Sequence, residues 1–93
     1  MNINEMVKKF EEFEAKRNWT DTEIEKLVEM LEENMELLKD EMKDKHGLDH
    51  RMMDMFILLL QIARRNETDL EKLFETHLEE MKEKYPVKKN GSD

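Results

Sequence analysis

The chain of 93 residues has no cysteine. Disulfide stapling and thiolate metal sites are therefore excluded, and a cytoplasmic protein is the plain expectation. Only two glycines and one proline occur, while Glu, Lys, Leu and Met dominate. That composition favours helices and argues against a sheet. Basic charge is also scarce, with 16 Lys and Arg against 24 Asp and Glu and a formal net charge of -8. Phosphate-backbone contacts need a basic face, so nucleic acid is not expected as a partner. A small anionic ligand stays open if metal ions carry it. The N-terminal stretch MNINEMVKKFEEF has no apolar run of signal-peptide length. The longest apolar run, Met52–Ala63, is too short for a bilayer, which needs roughly 20 residues. No membrane is expected as a partner.

Met52–Ala63 is the most apolar stretch in a chain whose charged residues make up 43%. Its two polar residues, Asp54 and Gln61, are seven apart and share one helical face, which Arg51, Leu58 and Arg65 continue. A helix apolar nearly all round is buried on most sides. A carboxylate in such a helix needs a partner or a metal ion, because a buried unpaired charge is very costly.

Helical spacing and capping residues divide the chain into four helices. The first spans Ile3 to about Lys16, with Asn2 and Glu5 as a capping box and Met6, Val7, Phe10 and Phe13 as its apolar stripe. The segment Arg17-Asn18-Trp19 leads to Thr20-Asp21-Thr22-Glu23, which predicts Thr20 as the cap of a second helix reaching about Lys45. That helix carries Ile24, Leu27, Val28, Leu31, Met35, Leu38 and Met42 on one face. Gly47 is placed to end it, and Asp49 to cap a third helix running to Arg65. Thr68-Asp69-Leu70-Glu71 opens the fourth, whose face is Leu70, Leu73, Phe74, His77, Leu78 and Met81. Tyr85-Pro86 closes it. Short connections imply an all-α, antiparallel four-helix bundle in a single domain over 1–86, with 87–93 a solvated tail. The third helix has more apolar surface than three neighbours would cover, so a homodimer closing through the second and third helices is expected.

Three groups could carry chemistry. Glu33 and Glu36 are one turn apart, and Asp54 projects from the next helix at a comparable distance from the Gly47 turn. Three carboxylates from two helices suit Mg²⁺, which keeps several waters and contacts substrate phosphates. The same E-x-x-E spacing recurs at Glu11/Glu14, Glu29/Glu32 and Glu80/Glu83, and Glu33 falls almost opposite the apolar stripe, as a solvated residue does. His46 and His50, beside Asp49, have Zn²⁺ ligand types, but Gly47 interrupts their helical spacing and polar turn residues are the simpler reading. His77 could contact a ligand or remain a core-edge histidine. Trp19 could stack on a nucleobase or act as a hydrophobic staple. Neither a P-loop nor a nucleophile elbow is present.

The order of these elements resembles a family. Arg17-Asn18-Trp19 precedes Glu33-Asn34-Met35-Glu36-Leu37. Asp54-Met55-Phe56-Ile57-Leu58-Leu59-Leu60-Gln61-Ile62-Ala63 follows, then Asp69-Leu70-Glu71-Lys72-Leu73 and Lys84-Tyr85-Pro86. This succession is similar to the MazG-like, all-α nucleoside triphosphate pyrophosphohydrolases over about residues 10–86. The resemblance implies a dimer, or a dimer of dimers, that splits an NTP or dNTP into monophosphate and pyrophosphate. It implies Mg²⁺, with Mn²⁺ as substitute, held by Glu33, Glu36 and Asp54; in an enzyme reading Trp19 and His77 are the candidate base or phosphate contacts. Four departures stand against it. Arg51 replaces the Glu of E-x-x-D, Met35 stands where the family has Gly, and His77 and Met81 stand where its fourth helix has Lys and the substrate-contacting Asn. Two readings follow: a Mg²⁺-dependent nucleotide pyrophosphohydrolase, or a non-catalytic relative kept as a helical dimerisation or binding module.

Overall fold

A computed structural model describes residues 1–87. The tail expected over 87–93 thus lies, apart from Val87, outside the described residues. Four helices and no strand are present among them: α1 (Ile3–Lys16), α2 (Ile24–Glu41), α3 (Lys45–Arg65) and α4 (Leu70–Lys84). The all-α class expected from composition is borne out.

The capping chemistry explains most boundaries. At α1 the Asn2 side chain accepts the Glu5 amide and the Glu5 carboxylate accepts the Asn2 amide, closing the capping box. α1 and α3 both end by reversing into a left-handed residue, Asn18 at φ 59° and Glu67 at φ 53°. In each case the following amide returns to a carbonyl of the last turn: Trp19 to Glu14, and Thr68 to Ala63. Asp69 caps α4 by accepting the Lys72 amide.

The ends of α2 differ from the reading above. Its first residue is Ile24, and no side chain caps it. Thr20 does not cap a helix because residues 19–22 form a turn. There the Thr22 hydroxyl and amide both donate to the Trp19 carbonyl. At the other end Gly47 does not end α2; it lies in the first turn of α3. The cap of α3 is Asp44, not Asp49, and its carboxylate accepts the Gly47 amide at 3.0 Å. A Cβ at Gly47 would meet that same Asp44 oxygen at 3.0 Å. Glycine is therefore favoured here by the close approach of the cap, not by a helix stop.

The three-residue turn 42–44 folds α3 back along α2, and Arg51–Glu41 and Arg65–Thr22 contacts mark the two ends of this antiparallel hairpin. α1 lies against the C-terminal half of α3 through Glu14–Gln61 and Glu11–Arg64. The apolar core is small: Leu27 from α2, and Leu58, Leu60 and Ala63 from α3. α4 packs mainly against α1, where Asn4 donates to the capping Asp69, and contributes no buried residue. In the single chain the fourth helix therefore projects from the other three, and its apolar face is open. No helix among the described residues is long and apolar enough to cross a membrane.

Candidate functional site

α1 and α2 flank α3 and leave a cleft of about 710 Å³ between them. Its floor is Asp54, Ile57, Leu58 and Gln61; Phe10, Phe13 and Trp19 form one wall; Lys26, Leu27, Met30 and Asn34 form the other. Phe13 stacks with Phe10 at 5.0 Å between ring centroids and meets Trp19 edge-on at 5.6 Å. The Arg17 guanidinium lies 3.5 Å from the Phe13 centroid. The cleft is apolar along its length and polar at its two ends, where the side chains of one α3 stripe diverge to different neighbours.

At the first end Arg51 is the hub. Its Nε and Nη2 donate to the two carboxylate oxygens of Glu41 at 3.0 and 2.9 Å. Its Nη1 donates to Asn34 Oδ1 at 2.6 Å and approaches Asp54 Oδ2 at 3.4 Å. This is a bidentate, charge-assisted pair with two further oxygens on the remaining nitrogen. Hydrogen bonding to Arg51 holds the Glu41 carboxyl below its ordinary range, and the Glu41 hydrogen bond raises the Arg51 guanidinium in turn. Asp54 also has His50 at 3.5 Å.

The second end is built on Glu14, a carboxylate 1% exposed. Arg65 donates to it at 2.7 Å and Gln61 at 3.0 Å, while Arg64 Nε approaches at 3.5 Å without making a hydrogen bond. Arg65 also donates to the carbonyls of Trp19, Thr22 and Gln61, and Arg64 to that of Thr20. Two guanidiniums thus take the carbonyls of the α1–α2 loop, which explains why residues 19–22 stay outside α2.

Burial acts most strongly on the Glu14 carboxyl and pushes it up. The hydrogen bonds from Arg65 and Gln61, with the charges of Arg65 and Arg64, outweigh burial, so its value lies below the ordinary 4.5. A carboxyl lowered by folding stabilises the fold above its unfolded value, and that contribution is lost as pH falls through the folded one. Wild-type stability should therefore hold from neutral pH to about pH 5 and fall below the ordinary carboxylate range. Glu14→Gln should start less stable at neutral pH and lose less on acidification. Thermal midpoints across that range check this; parallel wild-type and Glu14→Gln curves would be the contrary result.

The expected site residues divide between several places. Asp54 and Trp19 both line the cleft. Glu33 is exposed on α2. Glu36 has a side chain 76% exposed and pairs with Lys39 at 3.4 Å. The acidic residue that α2 directs toward the Arg51–Asp54 end is Glu41, not Glu33 or Glu36. His77 lies in a different groove, on the apolar face of α4. Lys45 takes Asp49 at 2.7 Å, away from any ligand pairing with His46 or His50. Among the described residues no three His, Cys, Asp or Glu side chains gather as a metal ion requires. The oxygens of Glu41, Asn34 and Asp54 do converge, but they converge on a guanidinium. The residues present therefore do not fit Mg²⁺ held by Glu33, Glu36 and Asp54.

Sequence reading missed Glu14 and Glu41. Glu14 had a signal: it is four residues from Phe10 and seven from Val7, on the apolar stripe of α1. No family model matches the chain, and neither a curated protein nor a solved structure does.

Proposed function

We propose that this chain is a non-catalytic helical module that works by association, its motif order being that of a MazG-like relative without the metal chemistry. The observation that carries this reading is Arg51. Its guanidinium stands among Glu41, Asn34 and Asp54, where a divalent cation would otherwise find oxygen ligands. A fixed organic cation neutralises these carboxylates and leaves no open coordination position for water or phosphate. Self-association is supported by the size of the uncovered apolar surface. Met35, Leu37, Met42, Met52, Met53 and Leu59 on the α2–α3 hairpin are all exposed, as is the face of α4.

Pyrophosphate release from NTPs and dNTPs in the presence of Mg²⁺ or Mn²⁺ is the direct test. No release is expected, and turnover of any of these nucleotides by the wild-type protein would overturn the reading in favour of the pyrophosphohydrolase. Arg51→Glu gives a second measurement. It should lower the thermal midpoint without metal, because the new carboxylate stands beside Glu41 and Asp54. Mn²⁺ should recover part of that loss in the variant and shift the wild type little. An equal Mn²⁺ shift in the wild type would mean that it already holds a metal.

A further inference from the structure

We infer that the cleft between α1, α2 and α3 binds an arylalkyl amine, with the ammonium on Asp54 and a ring N–H on Gln61. This ligand is neither the nucleotide that the family resemblance implies nor a partner in the association proposed above. A volume of about 710 Å³ with mainly apolar walls is that of a small-molecule pocket.

The polar groups on the cleft have their donors engaged and two acceptors left over. Gln61 is 8% exposed, and its Nε2 donates to Glu14. A carboxylate only accepts, so the amide cannot turn over and Oε1 is held on the other side. No donor among the described residues reaches that oxygen. Arg64 Nε is the fully buried side-chain atom without a partner among them, so Gln61 Oε1 keeps an open side, and the open space that Gln61 borders is the cleft. Asp54 lies near Arg51 and His50 through Oδ2, while Oδ1 has no donor among the described residues. On the donor side, every Arg51 nitrogen is in use, the Asn34 amide donates to the Met30 carbonyl and the Thr22 hydroxyl to that of Trp19. Lys26, at the rim with a side chain 60% exposed, stands 3.7 Å from Glu29. A ligand that expels water must therefore return N–H groups to two acceptors, because leaving them unpaired is costly.

Charge and shape then orient it. At the Arg51 end two carboxylates, Glu41 and Asp54, face one guanidinium, so one negative charge is unmatched. At the other end Glu11 and Glu14 balance Arg64 and Arg65. A cation thus belongs at Asp54. The aromatic wall marks the opposite end, since Phe13 adjoins Glu14, the partner of Gln61, and meets both Phe10 and Trp19. Asp54 and Gln61 are seven residues apart, about 10.5 Å along the helix axis. Hydrogen bonds of about 2.9 Å at each end leave roughly 5–10 Å between two ligand nitrogens, the span of an indole with a short aminoalkyl chain. A nucleoside triphosphate would bring several negative charges to a cleft whose guanidinium is already committed.

Tryptamine is the probe, and nitrogen–proton correlation spectra of the labelled whole chain read the site through the Gln61 side-chain amide and the indole N–H of the single tryptophan, Trp19. Tryptamine should shift both signals to saturation. Tryptamine methylated on the ring nitrogen lacks the donor for Gln61 and should bind about three- to tenfold more weakly. Indolepropionate, with a carboxylate on a chain of similar length, should bind at least about tenfold more weakly. Asp54→Asn should weaken tryptamine about tenfold and leave indolepropionate no weaker. Met30→Trp, at a wall residue 37% exposed, should fill the cleft and remove the tryptamine shifts with helical circular dichroism unchanged. Indolepropionate binding as tightly as tryptamine, undiminished binding of the ring-methylated probe, tryptamine shifts that survive Met30→Trp, or no shift of the Gln61 amide at all would each overturn this assignment.

Discussion

Arg65→Met should be among the most damaging single substitutions in this chain, lowering stability by about 3–5 kcal/mol. The Arg65 side chain is 9% exposed and the Glu14 side chain 1%, and the two meet at 2.7 Å. Methionine preserves much of the stem and the packing it provides, so the loss would report the charge and its hydrogen bonds. Glu14 would remain buried with only Gln61 donating to it and Arg64 nearby, which is the costly way to break a buried pair. The carbonyls of Trp19, Thr22 and Gln61 would lose a donor as well. A domain of this length has a total stability on the order of 5–14 kcal/mol, so such a loss approaches unfolding. Glu14→Leu combined with Arg65→Met should recover much of it, because both charges then leave the interior together. Urea denaturation of the two singles and the double closes the cycle. A loss under about 1 kcal/mol for Arg65→Met would mean that the pair is solvated in solution and does not anchor the loop.

This pair also shows what the sequence could and could not reveal. The stripe Arg51, Asp54, Leu58, Gln61 and Arg65 is legible from spacing alone, since helical geometry puts these residues on one face. Periodicity says nothing about which neighbour each polar residue meets. The stripe in fact splits, with Arg51 turned to Glu41 and Asn34 of α2, Asp54 meeting Arg51 itself, and Gln61 and Arg65 turned to Glu14 of α1. In a chain this rich in glutamate, the two buried or half-buried acids that matter have the same local spacing as many that do not. The helix count was legible because capping residues recur near most helix starts. The α2–α3 boundary was not, because Gly47 carries two meanings, helix stop and neighbour of a cap, and only the Asp44 carboxylate decides between them. Amphipathicity likewise shows that α4 has a face to cover without showing that the chain leaves it open.

Leu27→Ala should cost about 2–4 kcal/mol, the largest loss expected from an apolar truncation on α2. Leu27 is 1% exposed and is the only buried residue of that helix. It also lines the cleft, so the space left behind can open toward solvent instead of remaining a sealed void, which places the cost below the upper end for such changes. Leu59→Ala is the internal control, because Leu59 lies on α3 at 49% exposed and should cost less than about 1 kcal/mol. Urea midpoints at one pH compare the two, and a Leu27 loss no larger than that of Leu59 would mean that α2 is held by something other than this contact. The Arg51 cluster is the other fastening between α2 and α3, at the far end of the same hairpin. If a weakened Leu27 contact lets α2 separate, Arg51 can no longer hold Glu41 and Asn34 in register. Leu27→Ala and Arg51→Ala together should then cost less than the sum of the two alone, and the shortfall measures how far one fastening depends on the other.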